Sequence, residues 1–223
     1  MSMLEKSATR GRRGRPASIS RDLILDYAAE CDLRSLSVRG LAARMRVSDA
    51  SIHYHFGGRD QLLAALVDRI TGDFSPPDSG GDWRDWLREF AHRARKSLLA
   101  HPGAADYMVV AGPTAGRQYA IIDRALGVLQ AGGLAPRDAW LIYATMVNHV
   151  LRQVQSQEAH EAKASTGLQT DRRIARGLGD ASAQDLPRLR AVVETGLMAD
   201  FDLLFDYGLD ALLRGFDPRS RDA

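Results

Sequence analysis

Apolar residues along this chain recur at intervals of three and four rather than two, and Val, Ile and Thr are scattered instead of alternating, so the pattern predicts an all-α protein. Ser20 reads as the N-cap of a first helix whose stripe is Leu23, Ile24, Tyr27 and Ala28, ending near Glu30. Ser37 caps a second helix that turns Val38, Leu41, Ala42 and Met45 inward. After the tight connection Arg46-Val47, Ser48 caps a third, short helix that stops at Gly57-Gly58. A fourth carries Leu62, Leu63, Leu66, Val67 and Ile70.

The run TGDFSPPDSGGD, residues 71–82, concentrates Gly, Pro, Ser and Asp and reads as a linker. Beyond it, Asp82 caps a helix over 83–100 with Trp83, Trp86, Leu87, Phe90, Ala94 and Leu98 on one face. Helices over 105–110, 116–129 and 137–157 follow, punctuated by Pro102, Gly112-Pro113 and Gly132-Gly133. Residues 161–185 are polar, hold three glycines and keep no apolar period, so they are expected to be partly disordered or a mobile lobe. Amphipathic helices over 186–197 and 200–213 close the chain. The organisation expected is a basic arm (1–19), a three-helix unit with its following helix (20–70), the linker, and a larger helical domain (83–218).

Two short helices joined by a tight turn, the second polar and capped, form a helix-turn-helix. Its nine residues SDASIHYHF place Ile52 and Phe56 four apart as an anchoring side and leave Asp49, Ser51, His53, Tyr54 and His55 to face outward. A recognition helix needs polar side chains free to meet base edges in a major groove about 12 Å wide. The free N–H groups behind Ser48 suit a phosphate oxygen.

Charge sharpens this reading. Residues 1–60 hold 11 Lys/Arg against 7 Asp/Glu, a local +4 that leaves −2 for the remainder, so a polyanion partner belongs at the N-terminal end. The arm RGRRGRP, with Arg12, Arg13 and Arg15, has two readings: arginines laid in an A·T-rich minor groove, or a solvated tail adding non-specific charge. No apolar run approaches the roughly 20 residues that span a bilayer. No apolar core follows the N-terminal charges as in a secretory signal, so no membrane association and a cytoplasmic location are expected. The single cysteine, Cys31, fits a reducing compartment and leaves no cysteine cluster for a metal. His53 and His55, two apart on a helix, do not share a metal. No nucleophile-elbow triad, HExxH, phosphate-cradling glycine loop or apolar-set carboxylate pair is present, so no enzymatic activity and no cofactor are expected.

The run LSVRGLAARMRVSDASIHYHFGGRDQLLAAL, residues 36–66, resembles the DNA-binding domain of TetR-family transcriptional regulators, a likeness that extends from Ser20 to Asp68. One departure is Arg46, where that family's turn usually carries Gly. A left-handed Arg costs roughly 1 kcal/mol or more, and a phosphate contact would offset it. The resemblance implies base reading by Arg39, Asp49, Ala50, Ser51 and His53, with Ser48, Tyr54, His55 and Arg59 toward phosphates. Asp49 has two readings, acceptance from a cytosine amine or first-turn charge on the helix dipole.

The larger part resembles the tetracycline-repressor branch through WRDWL, the HPG turn at His101, GPT-x-x-RQY at 112–119, VNH at 147–149 and LL-x-x-x-GLDALLRGF at 203–216. That implies a homodimer on palindromic operator DNA, released when a small-molecule effector splays the two recognition helices. The interface would come from the last helix and a long preceding one. Phe201, Leu204, Phe205, Leu209, Leu212 and Leu213 supply the last helix's stripe, the alternative being that it packs within the monomer. The branch's magnesium-drug positions become Phe90, Ala94, Met108, Ala111, Ala125 and Gln157. Without the metal-binding imidazole, the expected effector is a more apolar or differently shaped compound and not a magnesium–tetracycline complex. Candidate lining residues are Trp86, Phe90, Tyr107, Met108, Ile122, Tyr143, Met146 and Val147, with core packing as the alternative reading. Asn148 and His149 either orient a ligand or satisfy each other as buried polar groups.

Overall fold

The computed structural model describes residues 19–78, 81–113, 116–167, 169–180 and 185–216. Helices make up its regular structure, and no strand occurs among the described residues. Three short helices, α1 (Arg21–Ala29), α2 (Val38–Met45) and α3 (Asp49–Phe56), pack with the first half of α4 (Arg59–Asp73) around Ile24, Leu41, Ile52, Leu62 and Leu66. Each of the three is started by the serine read as its cap. Ser20 Oγ accepts the Leu23 N–H at 3.1 Å, Ser37 Oγ that of Gly40 at 3.1 Å, and Ser48 Oγ that of Ser51 at 3.2 Å. In α1 the buried apolar residues are Ile24, Leu25 and Ala28, while Tyr27 turns outward. Ile24 and Ala28 are thus buried as expected, Leu23 is half-buried, and Leu25 takes the buried place expected of Tyr27.

The second unit is built on α8 (Pro136–Glu161), against which α5 (Trp83–Leu99), α6 (Ala104–Ala111), α7 (Gly116–Ala131) and α11 (Phe201–Gly215) all pack. α4 runs to Asp73 because Thr71 Oγ donates back to the Val67 carbonyl at 2.7 Å and the helix continues into the stretch read as linker. The following residues are tied down rather than loose. Pro77 O accepts the Trp86 indole N–H at 3.1 Å and an Arg124 N–H at 2.7 Å, and Ser75 O accepts from Arg93 at 3.2 Å.

Residues 161–185, expected to be partly disordered or a mobile lobe, contain α9 (Thr170–Gly179). Ile174 and Leu178, four apart, give it one apolar edge, and Arg190 of α10 (Pro187–Glu194) caps it by donating to the Leu178 carbonyl at 2.6 Å. Gly208 lets α11 approach α8: a Cβ there would stand 2.4 Å from His149 Cε1. His149 Nε2 sits 3.0 Å from the Phe205 carbonyl and its ring stacks on Phe205 with centroids 5.3 Å apart.

Candidate DNA interface and effector cavity

α3 is held by its inner side alone. Ile52 is fully buried and Phe56 nearly so, while Asp49, Ala50, His53 and Tyr54 are exposed, Tyr54 to 86%. Ser51 and His55 are half-buried. Ser51 Oγ lies 2.8 Å from Ser48 Oγ, so the two hydroxyls share one hydrogen bond at the helix start and retain acceptor capacity outward. His53 Nδ1 is 3.3 Å from the Gly57 carbonyl, which orients its ring and leaves Nε2 free to face outward. Tyr54 and His55 meet edge to face at 5.3 Å. Arg39 on α2 is exposed beside this surface. Arg12, Arg13 and Arg15 lie outside the described residues.

The turn before α3 contains the departure seen in the sequence. Arg46 caps α2 in the left-handed conformation, φ 56° and ψ 44°, with its side chain exposed. Arg59 corrects an expectation. Its guanidinium donates to the carbonyls of Leu36 at 2.7 Å, Leu33 at 3.2 Å and Arg34 at 3.4 Å, which makes it a bracket between the start of α4 and the α1–α2 connection rather than a phosphate-facing group. Those carbonyls follow the end of α1 and have no helical donor of their own, a need invisible in linear sequence. Arg21 was not singled out. Its guanidinium lies over the Phe56 ring, 4.2 Å from the centroid, and donates to the His55 carbonyl, fastening the end of α3 to α1.

Within the second unit is a cavity of about 350 Å³. Phe90, Met108, Ile122, Tyr143 and Val147, all read as lining from sequence, do line it. Trp86, Tyr107 and Met146 do not. Trp86 is drawn away by its indole bond to Pro77 and stacks behind Phe90 at 5.2 Å. Met146 and Tyr107 each sit one residue from a true lining residue, and one residue turns a helix by about 100°, enough to leave the wall. Sequence reading missed Phe74, which meets Phe90 edge-on at 5.2 Å, and also Ile70, Thr71, Gln118 and Trp140. Phe74 was hidden by lying in the stretch read as linker, and Gln118 by being polar.

The wall carries no Asp, Glu, Lys, Arg or His among the described residues. Asn148 reaches it, whereas His149 turns to Phe205 instead. Burial pushes the Tyr143 phenol up to about 12, so it stays a neutral donor at any physiological pH. Of the positions aligned with a magnesium-drug site, Phe90, Ala94 and Met108 face the cavity and Ala111, Ala125 and Gln157 do not; Gln157 Oε1 accepts from Arg95 at 2.7 Å. Among the described residues no three His, Cys, Asp or Glu side chains gather to hold a metal ion.

On α11, Phe205, Leu209 and Leu213 are buried against the chain's own helices, which corrects half of the expected dimer stripe. The face left open is Leu203, Leu204 and Tyr207, exposed to 47%, 43% and 76%, with Phe201 and Leu212 half-buried at its margins. The stripe is two-sided: residues 205, 209 and 213 share one line and 203, 207 and 211 another. No helix among the described residues is long and apolar enough to cross a membrane.

Comparison with known proteins adds sequence-wide support. Residues 24–66 match the family of bacterial regulatory proteins described as tetR, and residues 75–219 match the tetracyclin repressor-like C-terminal domain. The class D tetracycline repressor protein of Escherichia coli is 26% identical over 209 residues, covering 90% of each chain. The crystal structure of the Streptomyces coelicolor protein ActR in complex with actinorhodin superposes with a TM-score of 0.75 at 24% identity, over 89% of this chain and 95% of that one. A minocycline complex of an Acinetobacter baumannii TetR variant superposes at 0.67 and 24% identity, over 89% and 96%. With both of its units matched, the chain belongs to the TetR family of transcriptional regulators and has a C-terminal domain of the tetracycline-repressor type.

Proposed function

We propose that this DNA-binding, ligand-responsive regulator is a cytoplasmic repressor, released from a palindromic operator by an uncharged, flat aromatic compound. The observation that carries this reading is the double duty of α4. Leu62 and Leu66 sit in the core beneath α3, while Ile70, Thr71 and the following Phe74 form part of the cavity wall. Whatever fills the cavity therefore pushes on the helix that seats the recognition unit. An effector acts only through a difference in affinity between the two arrangements. In the DNA-bound arrangement the two copies of α3 would stand roughly 34–36 Å apart.

The effector class follows from the wall. Phe74, Phe90, Trp140 and Tyr143 offer ring faces and edges, Gln118 and Asn148 are the amide side chains on the wall, and no charged side chain stands among the described wall residues to neutralise a charge. About 350 Å³ lies at the lower end of the roughly 300–1,000 Å³ typical of sites for drug-sized ligands. Relatives solved with actinorhodin and minocycline support a small-molecule effector here, and the apolar residues at the aligned magnesium positions support one bound without a metal. We read the chain as non-enzymatic, since among the described wall residues the side-chain hydroxyls are those of Thr71, Ser97 and Tyr143, and no Asp, Glu, Lys or His stands in that wall to serve them as a base.

The test begins with selection of bound DNA from random sequence. Operator complexes are then titrated with neutral and anionic anthraquinones while tryptophan fluorescence is followed. Release and quenching by the neutral compound, absent in a Val147→Trp variant, are expected. Equal release in that variant would place the effector elsewhere.

A further inference from the structure

A polar cluster lies where the recognition unit meets the effector unit, apart from both sites described above. Arg34, in the α1–α2 connection, reaches Glu158 near the end of α8, Nη1 to Oε2 at 3.3 Å. The same Oε2 accepts the Gly103 N–H at 3.2 Å, at the head of α6. Alongside, the Leu33 N–H donates to Pro102 O at 2.8 Å, so backbone and side chain join the same two segments. Gly103 is required there: its φ is +84°, and a Cβ would stand 2.9 Å from both the backbone nitrogen and Cγ of Arg34.

The charges are unbalanced in an informative way. Arg34 is gripped by Asp32 at 2.6 Å and faces Asp106 at 3.9 Å, giving three carboxylates around one guanidinium. Asp106 is held in turn by Gln155 of α8 at 2.7 Å. Glu158 is buried, and its Oε1 finds no hydrogen-bond partner among the described residues. Burial pushes its carboxyl up against the opposing pull of the Gly103 amide and Arg34. A carboxylate kept at this cost is worth little as a general stabiliser, because an apolar replacement often serves as well. Its value lies in geometry: it fixes which surfaces meet.

We infer that Arg34 and Glu158 act as one positioning pair, through which α6 and α8, both walls of the cavity, set the orientation of the recognition unit. The inference rests on the operator-binding reading and names the contact that makes operator affinity depend on the effector unit. Met108 and Val109 of α6 and Tyr143 and Val147 of α8 line the cavity, and the start of α6 and the end of α8 meet at this one carboxylate.

The test compares Glu158→Gln, Arg34→Gln, Arg34→Lys and the double Gln variant in the full-length protein. Operator affinity is measured by anisotropy, and head-to-head distance by electron spin resonance between nitroxides at Gln61→Cys in a Cys31→Ser background. Glu158→Gln is expected to weaken operator binding about fivefold. Arg34→Gln, which leaves three carboxylates facing one another, weakens it tenfold or more. The double variant falls back to the Glu158→Gln level instead of multiplying the losses, and Arg34→Lys recovers part. Distance distributions broaden in the same order while dimer mass stays constant. Multiplicative losses, or distributions unchanged in both single variants, overturn the pairing. A wild-type protein that binds no DNA sinks the operator reading instead, and the distance distributions still decide the pairing.

Discussion

Replacing Arg46 with Gly separates the folding role of the turn from its role at DNA. Arg46 holds φ 56° and ψ 44°, a conformation that costs an L-residue about 1–2 kcal/mol. Glycine removes that cost but gains freedom in the unfolded chain worth about 0.4–1 kcal/mol. The net expectation is a stabilisation of about 0.5–1 kcal/mol, or roughly 1–4 °C in melting temperature for a chain of this size. At the operator the effect has the opposite sign. If the exposed guanidinium meets a phosphate, its loss from both heads of a dimer removes about two contacts, flattening the slope of log affinity against log salt by about 1.8. Arg46→Ala is the control, since it loses the contact and keeps the strain. Thermal unfolding gives the first quantity, and anisotropy titrations from roughly 50 to 300 mM salt, over which the screening length shortens through about 8 Å, give the second. A Gly variant that melts lower than wild type would show that the Arg side chain holds the turn by contacts of its own. A variant with unchanged salt slope would remove Arg46 from the DNA surface.

Four other outcomes are open to measurement. Ser51→Ala and His53→Ala should erode the preference for operator over random DNA, each by about 1–3 kcal/mol if it meets a base edge, and equal losses on both DNAs would refute base reading. Arg59→Ala should destabilise the fold by about 1–3 kcal/mol, because three carbonyls lose their donor, yet leave the salt slope unchanged. Leu203→Glu with Tyr207→Glu should give monomers in sedimentation, since both lie on the open face of α11; an intact dimer would place the interface elsewhere. Tyr143, raised to about 12 in the fold, stays protonated where an unfolded chain already ionises. Stability should therefore be full below pH 10 and fall by about 2–3 kcal/mol between pH 10 and 12, a loss that Tyr143→Phe abolishes.

What the sequence disclosed was whatever depends on near neighbours along the chain. The capping serines Ser20, Ser37 and Ser48 and the pair Ile52 and Phe56 act within one turn of themselves, so linear spacing is enough to place them. Arg59, Trp86 and Phe205 were misread for a common reason. Each is governed by a partner beyond its own helical turn: Leu36 O for Arg59, Pro77 O for a Trp86 that periodicity put on the cavity face, and His149 for a Phe205 that was read as part of the dimer stripe. Residues 170–179 failed differently. A single apolar pair, Ile174 and Leu178, in a ten-residue segment with three arginines gives little signal, and the cap that Arg190 supplies at the end of α9 comes from another helix.

The same distinction explains why one helix can govern both sites. α8 runs for 26 residues, about 39 Å at 1.5 Å per residue. Trp140, Tyr143 and Val147 give its first half to the cavity, His149 marks where α11 crosses, and Glu158 brings its last turn to the recognition unit. A helix buried along most of this length moves as a rod, because its packed side chains have no slack to take up a local shift. A ligand that displaces the wall at Val147 must therefore move Glu158 as well, and with it the surface on which Arg34 rests. α4 offers a second route through Ile70 and Phe74, so helices of the cavity wall reach the recognition unit at two separated points. Two points of support define a hinge axis, whereas one would permit free rotation. Cutting the Arg34–Glu158 contact while leaving α4 intact should therefore loosen the heads without releasing them, and so give the graded loss of operator affinity expected above rather than an abrupt one.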